Sequence, residues 1–358
     1  MGSYRHILIT GGAGFVGSSL AIALKQDFNN VRVTALDNLK RRGSELALGR
    51  LATHGVEFQH GDIRNPEDIV QAGSFDLLIE CSAEPSVHAG YGSSPTYLIS
   101  TNLVGTTHCL EAARIHHADV VFLSTSRVYP IKSLRELPVA TAGLRLDLAP
   151  DQSGAGWSGQ GISEDFPLHG PRSLYGATKL ASELLLTEYS EMYGIRSIIN
   201  RCGVLTGPWQ MGKVDQGFMV LWAAQHLYGG NLAYMGFGGH GHQVRDILHV
   251  ADLYALLRAQ FEQIDKINGQ IFNVGGGRDI SVSLAELTDL CTSRSGKRLD
   301  IAAEPETRDA DIPWYITDTR AVTETTGWQP RYDVESILDD IFAWLGDNRA
   351  QLEPILKA

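Results

Sequence analysis

The stretch that most constrains this chain is its opening. An apolar run, Ile7-Leu8-Ile9-Thr10, breaks into Gly11-Gly12-Ala13-Gly14-Phe15-Val16-Gly17 and passes at once into an amphipathic pattern through Leu24. A short apolar run, a glycine cluster and a 3.6-residue period predict strand, tight turn and helix. The glycines have separate reasons to be there: Gly11 permits the turn, Gly14 lets backbone approach a diphosphate, and Gly17 lets helix and strand pack closely. Anions favour that helix N-terminus, with its free N–H groups and positive dipole end. A second apolar run, Val31-Arg32-Val33-Thr34-Ala35-Leu36, ends in Asp37, about twenty residues beyond Gly17, where a carboxylate accepts from adenosine ribose hydroxyls. The stretch predicts a dinucleotide site lined by Gly11, Gly14, Phe15, Val16, Gly17 and Asp37. Lys40-Arg41-Arg42 suggests a 2′-phosphate, but Asp37 repels one, so the expected cofactor is NAD.

Strand-like runs at 6–10, 31–36, 55–59, 75–80, 119–124, 195–201 and 270–274 alternate with helical patterns, among them 15–27, 96–117, 175–193 and 250–264. This alternation predicts an α/β fold, a Rossmann doubly wound parallel sheet, whose ligands bind at the carboxyl ends of the strands. The residues just after the strands are therefore site candidates. They are Asp62 and Ile63, with Asp62 placed for an adenine amine; Ser82 and Ala83, small enough for a nicotinamide to lie against backbone; and Thr125. The glycine-rich stretch 130–171 has little periodicity and is expected to be a loop, either a lid or a substrate-contacting insertion. The expected division is a dinucleotide-binding domain over 1–200, rejoined by 240–275, and a smaller, mostly helical C-terminal domain formed by 201–239 and 276–358.

A net charge of −11 and a pI near 5.5 argue against nucleic acid or an anionic membrane as partner. The four cysteines (Cys81, Cys109, Cys202, Cys291) form no close pair, and neither His116-His117 nor His240-x-His242 has an acidic or thiol partner at ligand spacing, so no metal is expected. No leader and no membrane-spanning run is evident, which makes a cytoplasmic location the expectation.

The most specific chemistry lies in Tyr175-Gly176-Ala177-Thr178-Lys179. Tyr and Lys four residues apart share one helix face, and an ammonium beside a phenol lowers the phenol's pKa towards neutrality. Tyr175 is then the expected general base for an alcohol, with Lys179 as its cationic neighbour and Thr125 bonding the same oxygen. A non-catalytic NAD-binding regulator is the reading from another class, and it has no need of all three.

With these residues in place the chain resembles the extended short-chain dehydrogenase/reductases, the NAD-dependent nucleotide-sugar epimerase and dehydratase family, over nearly its whole length. The resemblance rests on the glycine turn, Asp37-Asn38-Leu39, Gly61-Asp62, Asn102-x-x-Gly105-Thr106, Ser124-Thr125-x-x-Val128-Tyr129, Tyr175-x-x-x-Lys179 and Arg245-Asp246. It implies that Asn38, Arg41 and Asn102 contact the cofactor, that Glu84, Thr125, Arg245 and Arg308 contact a nucleotide-sugar substrate, and that the helices at 96–117 and 175–193 pair with their symmetry mates in a homodimer. Where the dehydratases carry Asp-Glu after the catalytic Thr, this chain has Ser126-Arg127. The UDP-galactose 4-epimerases have a much shorter segment before the Tyr. The long insertion, Asp215-Gln216-Gly217-Phe218 and Gln243-Val244-Arg245-Asp246-Ile247-Leu248-His249 are similar to the CDP-paratose 2-epimerases, which makes a CDP-hexose the favoured substrate. Glu84 (Gln in those enzymes), His88-Ala89 and Gly203-Val204 depart from that pattern around the sugar.

Overall fold

The computed structural model describes residues 4–214 and 216–357; Asp215, part of one motif above, lies outside them. Seven parallel strands form the central sheet. We number them β1 (His6–Thr10), β2 (Arg32–Asp37), β3 (Glu57–His60), β4 (Leu77–Glu80), β5 (Asp119–Thr125), β6 (Ser197–Cys202) and β7 (Gln270–Val274). Their order across the sheet is β7-β6-β5-β4-β1-β2-β3. The order reverses between β1 and β4, and a crevice opens at their carboxyl ends, where open α/β sheets take ligands.

Apolar side chains on both faces explain the near-continuous hydrophobic strands. One face carries α1 (Phe15–Asp27), whose Leu20, Ala21 and Leu24 are buried against β1 and β2. The other carries α2 (Thr106–His116), which follows a π-helical turn over Ser100–Gly105, and α3 (Leu174–Tyr193). A helix α4 (Val250–Gln263) returns to the α1 face through Leu253, Leu256, Leu257 and Phe261, and leads into β7. The strand before it, Val244–His249, pairs instead with Val204–Thr206, Ser281–Ser283 and Trp314–Tyr315 in a smaller sheet. A second core joins helices Phe218–Tyr228, Leu284–Ser295, Val334–Asp347 and Arg349–Leu356. Among the described residues no helix is long and apolar enough to cross a membrane.

The stretch 130–171 differs from its expected loop character. It contains a short helix (Ile131–Arg135), a hairpin (Val139–Ala142 with Arg145–Leu148) and a three-stranded antiparallel patch ending at Gly161–Ile162. Leu134, Leu148, Ile162 and Phe166 are buried with Val244, Ile312, Trp314 and Tyr315 in a core of their own. Ile162 is stitched to the C-terminal part by Ile162 N–H to Ile316 O at 2.7 Å and Asp318 N–H to Ile162 O at 3.0 Å. The segment is a fixed brace rather than a loose lid. Its strands are two to four residues long and its partners lie far away in sequence, which is why no period announces it.

Candidate active site

The glycine turn is as tight as its spacing predicts. A Cβ on Gly17 would stand 2.3 Å from Gly11 O, and one on Gly12 2.6 Å from Ala35 Cα. Gly11 has φ +64° and packs on the backbone of Cys81 and Ser82. Helix α1 begins after Gly14 with no side-chain cap and no acid in its first turn. Among the described residues no side chain caps these N-terminal N–H groups, and the cradle fits a dinucleotide diphosphate. At the end of β2, Asp37 accepts from Ala13 N–H at 3.1 Å and Leu39 N–H at 2.8 Å. Burial pushes its carboxyl up, and these N–H groups oppose that shift.

Beyond Asp37, where the sequence places the adenosine, lies a polar cluster. Asn38 donates to Asp62 at 2.9 Å, Arg64 pairs with Asp62 at 2.6 Å, and Lys40 Nζ sits 3.3 Å from the centre of the Tyr97 ring. The Arg64 bond, with Asn38 behind it, holds the Asp62 carboxyl down to about 2. Ile63 is buried against Gly105, where a Cβ would lie 2.6 Å from its side chain. Two expected cofactor contacts are engaged elsewhere. Asn102 is fully buried: its oxygen accepts from Glu84 N–H at 2.8 Å and its amide donates to Glu84 O at 3.1 Å. It fixes the loop after β4. Arg41 bonds Gln216 and, at 2.8 Å, Met211 O, joining the β2 loop to the 211–216 segment.

The reacting end is assembled by α3. Ser173 caps it, accepting from Gly176 N–H at 3.2 Å, and a Cβ on Gly176 would stand 2.1 Å from Arg127 O. The glycine between Tyr175 and Lys179 thus lets the helix lie on the turn after β5, which brings Tyr175 to Thr125. Thr125 ends β5 opposite Cys202 of β6, and its hydroxyl accepts from Arg127 N–H at 3.1 Å. Burial pushes the Tyr175 phenol up to about 12, while the Thr125 hydroxyl and the Arg127 guanidinium pull it down. The expectation that Lys179 carries the phenol towards neutrality is not met by the chain alone. Lys179 Nζ lies 3.4 Å from Glu80 Oε2.

Elsewhere, arginines converge on one turn, 308–312. Arg127 donates to Ala310 O at 3.2 Å, Arg245 to Ile312 O at 2.6 Å and Arg135 to Arg308 O at 2.7 Å. Arg308 itself bonds Asp311 at 3.0 Å. Burial lowers the Arg245 guanidinium to about 9, with Arg127 adding to the effect. Against burial, Arg308 first and then His88 and Arg245 hold the Asp311 carboxyl below its usual range; His88 Nε2 lies 3.4 Å away. Glu84 stands at the loop's start, pinned through its backbone to Asn102. Asp311 and Glu80 escaped the sequence reading. Glu80 did leave a signal, an acid closing the apolar run Leu77-Leu78-Ile79.

A sequence profile described as the NAD dependent epimerase/dehydratase family matches residues 7–275. A CDP-paratose 2-epimerase of Salmonella typhi is 28% identical over 352 residues, covering 94% of this chain and 98% of that protein. A dTDP-glucose 4,6-dehydratase of Streptomyces niveus is also 28% identical, over 98% of this chain and 95% of its own. Among solved structures, a dTDP-glucose 4,6-dehydratase of Streptomyces venezuelae with NAD bound superposes with a TM-score of 0.77 at 25% identity, covering 98% of this chain and 99% of that one.

Proposed function

The chain belongs to the NAD dependent epimerase/dehydratase family, and from that premise we propose that it is an epimerase of a nucleotide-linked sugar, of the CDP-paratose 2-epimerase kind, inverting a hydroxyl-bearing carbon by oxidising it to a ketone and reducing it again. The observation that carries this reading is the turn after Thr125. Its next two residues are Ser126 and Arg127, neither of them an acid, and the Arg127 guanidinium is held at Ala310 O. That turn offers no proton donor for expelling water from the ketone, so the route open to the intermediate is reduction, from either face.

NAD, held by the glycine turn and Asp37, supplies the hydride chemistry when bound. The chain's own residues handle the proton and the pose. Tyr175 takes the hydroxyl proton and gives it back, and Thr125 bonds the same oxygen. Lys179, one helical turn on from Tyr175, is the cationic neighbour of the base. Arg245 and Arg308, both at the 308–312 turn, are suited to a diphosphate by their planar donor forks. A nucleotide anchored there leaves the sugar free to turn and offer its other face. On this reading residues 1–200, rejoined by 240–275, bind NAD, while 201–239 and 276–358 bind the nucleotide sugar.

The test is CDP-paratose deuterated at C2, supplied without added cofactor and followed by NMR. Tyvelose-configured product that keeps deuterium at C2 is expected. Loss of the label to solvent, or no conversion alongside turnover of dTDP-glucose to a 4-keto-6-deoxy product, overturns the proposal.

The same reading includes a two-fold homodimer through α2 and α3. Leu98 and Leu110 are buried in the chain's own core, but Val104 in the turn before α2, and Ile115, Leu184 and Met192 along α2 and α3, are exposed, Leu184 by 63% and Met192 by 66%. Sedimentation at micromolar concentration should give twice the chain mass, and Leu184→Glu should halve it.

A further inference from the structure

Three polar residues stand abreast in the otherwise apolar sheet. In register, Ser124 of β5, Arg201 of β6 and Asn273 of β7 are neighbours near the carboxyl ends of their strands, and all three are buried. Glu183 of α3 accepts from the Ser124 hydroxyl and pairs with Arg201, whose Nη2 lies 2.8 Å from Oε2. Arg201 Nη1 also donates to Tyr129 Oη at 3.3 Å. That hydroxyl donates to Asn273 Oδ1 at 2.8 Å, with Ser163 O 3.3 Å away. Asn273 is held in turn by the brace. Its side-chain amide donates to Ile162 O at 3.0 Å, and its backbone N–H donates to Glu164 Oε1 at 2.6 Å. The Tyr129 ring meets Phe166 of the brace edge to face, with 5.6 Å between centres.

A buried polar group left without a partner is costly, whereas a connected and satisfied network is rigid and admits one arrangement. Here that arrangement fixes a turn. Residues 126–128 form a single 3₁₀ turn between Thr125 and Tyr129, with Ser124 clamped before it and Tyr129 after it. Within it Arg127 N–H donates to Thr125 Oγ1 at 3.1 Å and Tyr129 N–H to Ser126 O at 3.2 Å. Helix α3 rests on the same turn, at the contact of Gly176 with Arg127 O. The pose of the turn therefore sets Thr125 against Tyr175.

We propose that Tyr129 and Glu164 are positioning residues: the corner of the brace at 162–164 holds Asn273, Asn273 holds Tyr129, and Tyr129 holds the turn that aligns Thr125 with Tyr175. This rests on the reading of Thr125 and Tyr175 as the reacting pair, but its first test needs no substrate.

Backbone hydrogen exchange is followed by peptide mass spectrometry in the full-length chain with its NAD. Glu164→Ala removes the acceptor for Asn273 N–H, while Glu164→Gln keeps an oxygen for it. Exchange across 126–129 should quicken about tenfold in Glu164→Ala and return to the wild-type rate in Glu164→Gln, with α1 unchanged in both. Unchanged exchange at 126–129 in Glu164→Ala overturns the proposal, whichever sugar is turned over. So does an equal rise in α1, which would mean a general loss of stability. With CDP-paratose as substrate, Tyr129→Phe and Glu164→Ala should each lower kcat about tenfold and leave KM within about twofold, since a misplaced group costs turnover rather than binding. Tyr129→Phe keeps the ring on Phe166 and removes only the hydroxyl. The double variant should be no slower than Tyr129→Phe, because both changes cut one chain of contacts. Raised KM with kcat intact would place the brace's effect at the 308–312 turn, and additive losses would make the two residues independent; either result overturns the proposal. Should Tyr129→Phe fail to fold, the two Glu164 variants decide it by exchange and by kcat.

Discussion

The cofactor end of the crevice and the 130–171 brace are built with the same device, and only one of them can be seen in the sequence. At the cofactor end a Cβ on Gly17 would lie 2.3 Å from Gly11 O; in the brace one on Gly161 would lie 2.5 Å from Ile316 O, and one on Gly156 2.1 Å from Phe166 N. Both regions need glycine because another backbone passes where a side chain would be. At Gly17 the passing backbone belongs to the same turn, so that requirement recurs at fixed spacing between a strand and a helix. At Gly161 it belongs to residue 316. A contact that long in sequence leaves no local pattern, and the same glycines look like those of a flexible loop. Spacing discloses close approach only when both participants are local.

The largest expected effect lies at Tyr175. Tyr175→Phe keeps the ring packing and the glycine that seats α3 on the β5 turn, so NAD content and melting temperature should hold. Turnover should fall about 10²–10⁴-fold, the usual contribution of a positioned base. Measuring initial rates beside the extracted nucleotide separates the two; unchanged turnover would remove Tyr175 from the mechanism.

A smaller effect is expected from the brace. Gly161 has φ +135°, so Gly161→Ala adds both a clash and a strained backbone, at a cost of about 1–3 kcal/mol. Differential scanning calorimetry should show a lower melting temperature, with NAD retained and the Michaelis constant for the nucleotide sugar raised, because Arg135 of the brace bonds Arg308 O at the sugar turn. Loss of NAD instead would mean that the two regions are not separable as described.

The contrast explains how much was legible. The seven sheet strands, the long helices, the glycine turn, Asp37, Thr125 and the Tyr175–Lys179 pair follow from periodicity and local spacing, and the structure has them where expected. The roles of Asn102, Arg41 and Lys179 are different. Each was assigned by its place in a motif, yet its partner is remote: Asn102 closes on Glu84, Arg41 on Met211 and Gln216, Lys179 on Glu80. Asp311 and the arginines around it come from four separate stretches, so their convergence exists only in the fold.

Within the cofactor end, Asp37 and Asp62 sharpen the comparison further. Asp37 accepts from backbone N–H groups of the turn itself, so Asp37→Ala removes both a ribose acceptor and a clasp on the loop. NAD binding should weaken by roughly 1.5–3 kcal/mol, the range for a charged hydrogen bond, measured by calorimetric titration of the stripped chain.

Asp62 should matter least, because its oxygens are already spent. It is bonded by Asn38 at 2.9 Å and Arg64 at 2.6 Å, and the carboxyl is held down to about 2 from its ordinary 3.8. The sign follows from that depression: the ionised, paired form belongs to the folded state. Its stabilisation is present above about pH 4 and fades as acid takes the carboxyl through its folded value near 2. Arg64 is 38% exposed while Asp62 is half-buried, so water and salt screen the pair from the arginine's side, and the contribution should stay below about 1 kcal/mol. Asp62→Asn should therefore lower the urea midpoint slightly at pH 7, with the gap to the wild type closing as the pH is taken below 4. Its NAD affinity should change less than that of Asp37→Ala, since an Asn keeps an oxygen for Asn38 and leaves the glycine turn untouched. If Asp62→Asn instead cost as much NAD affinity as Asp37→Ala, the adenine end would be read by side chains rather than held by backbone, and the division between the two acids would be lost.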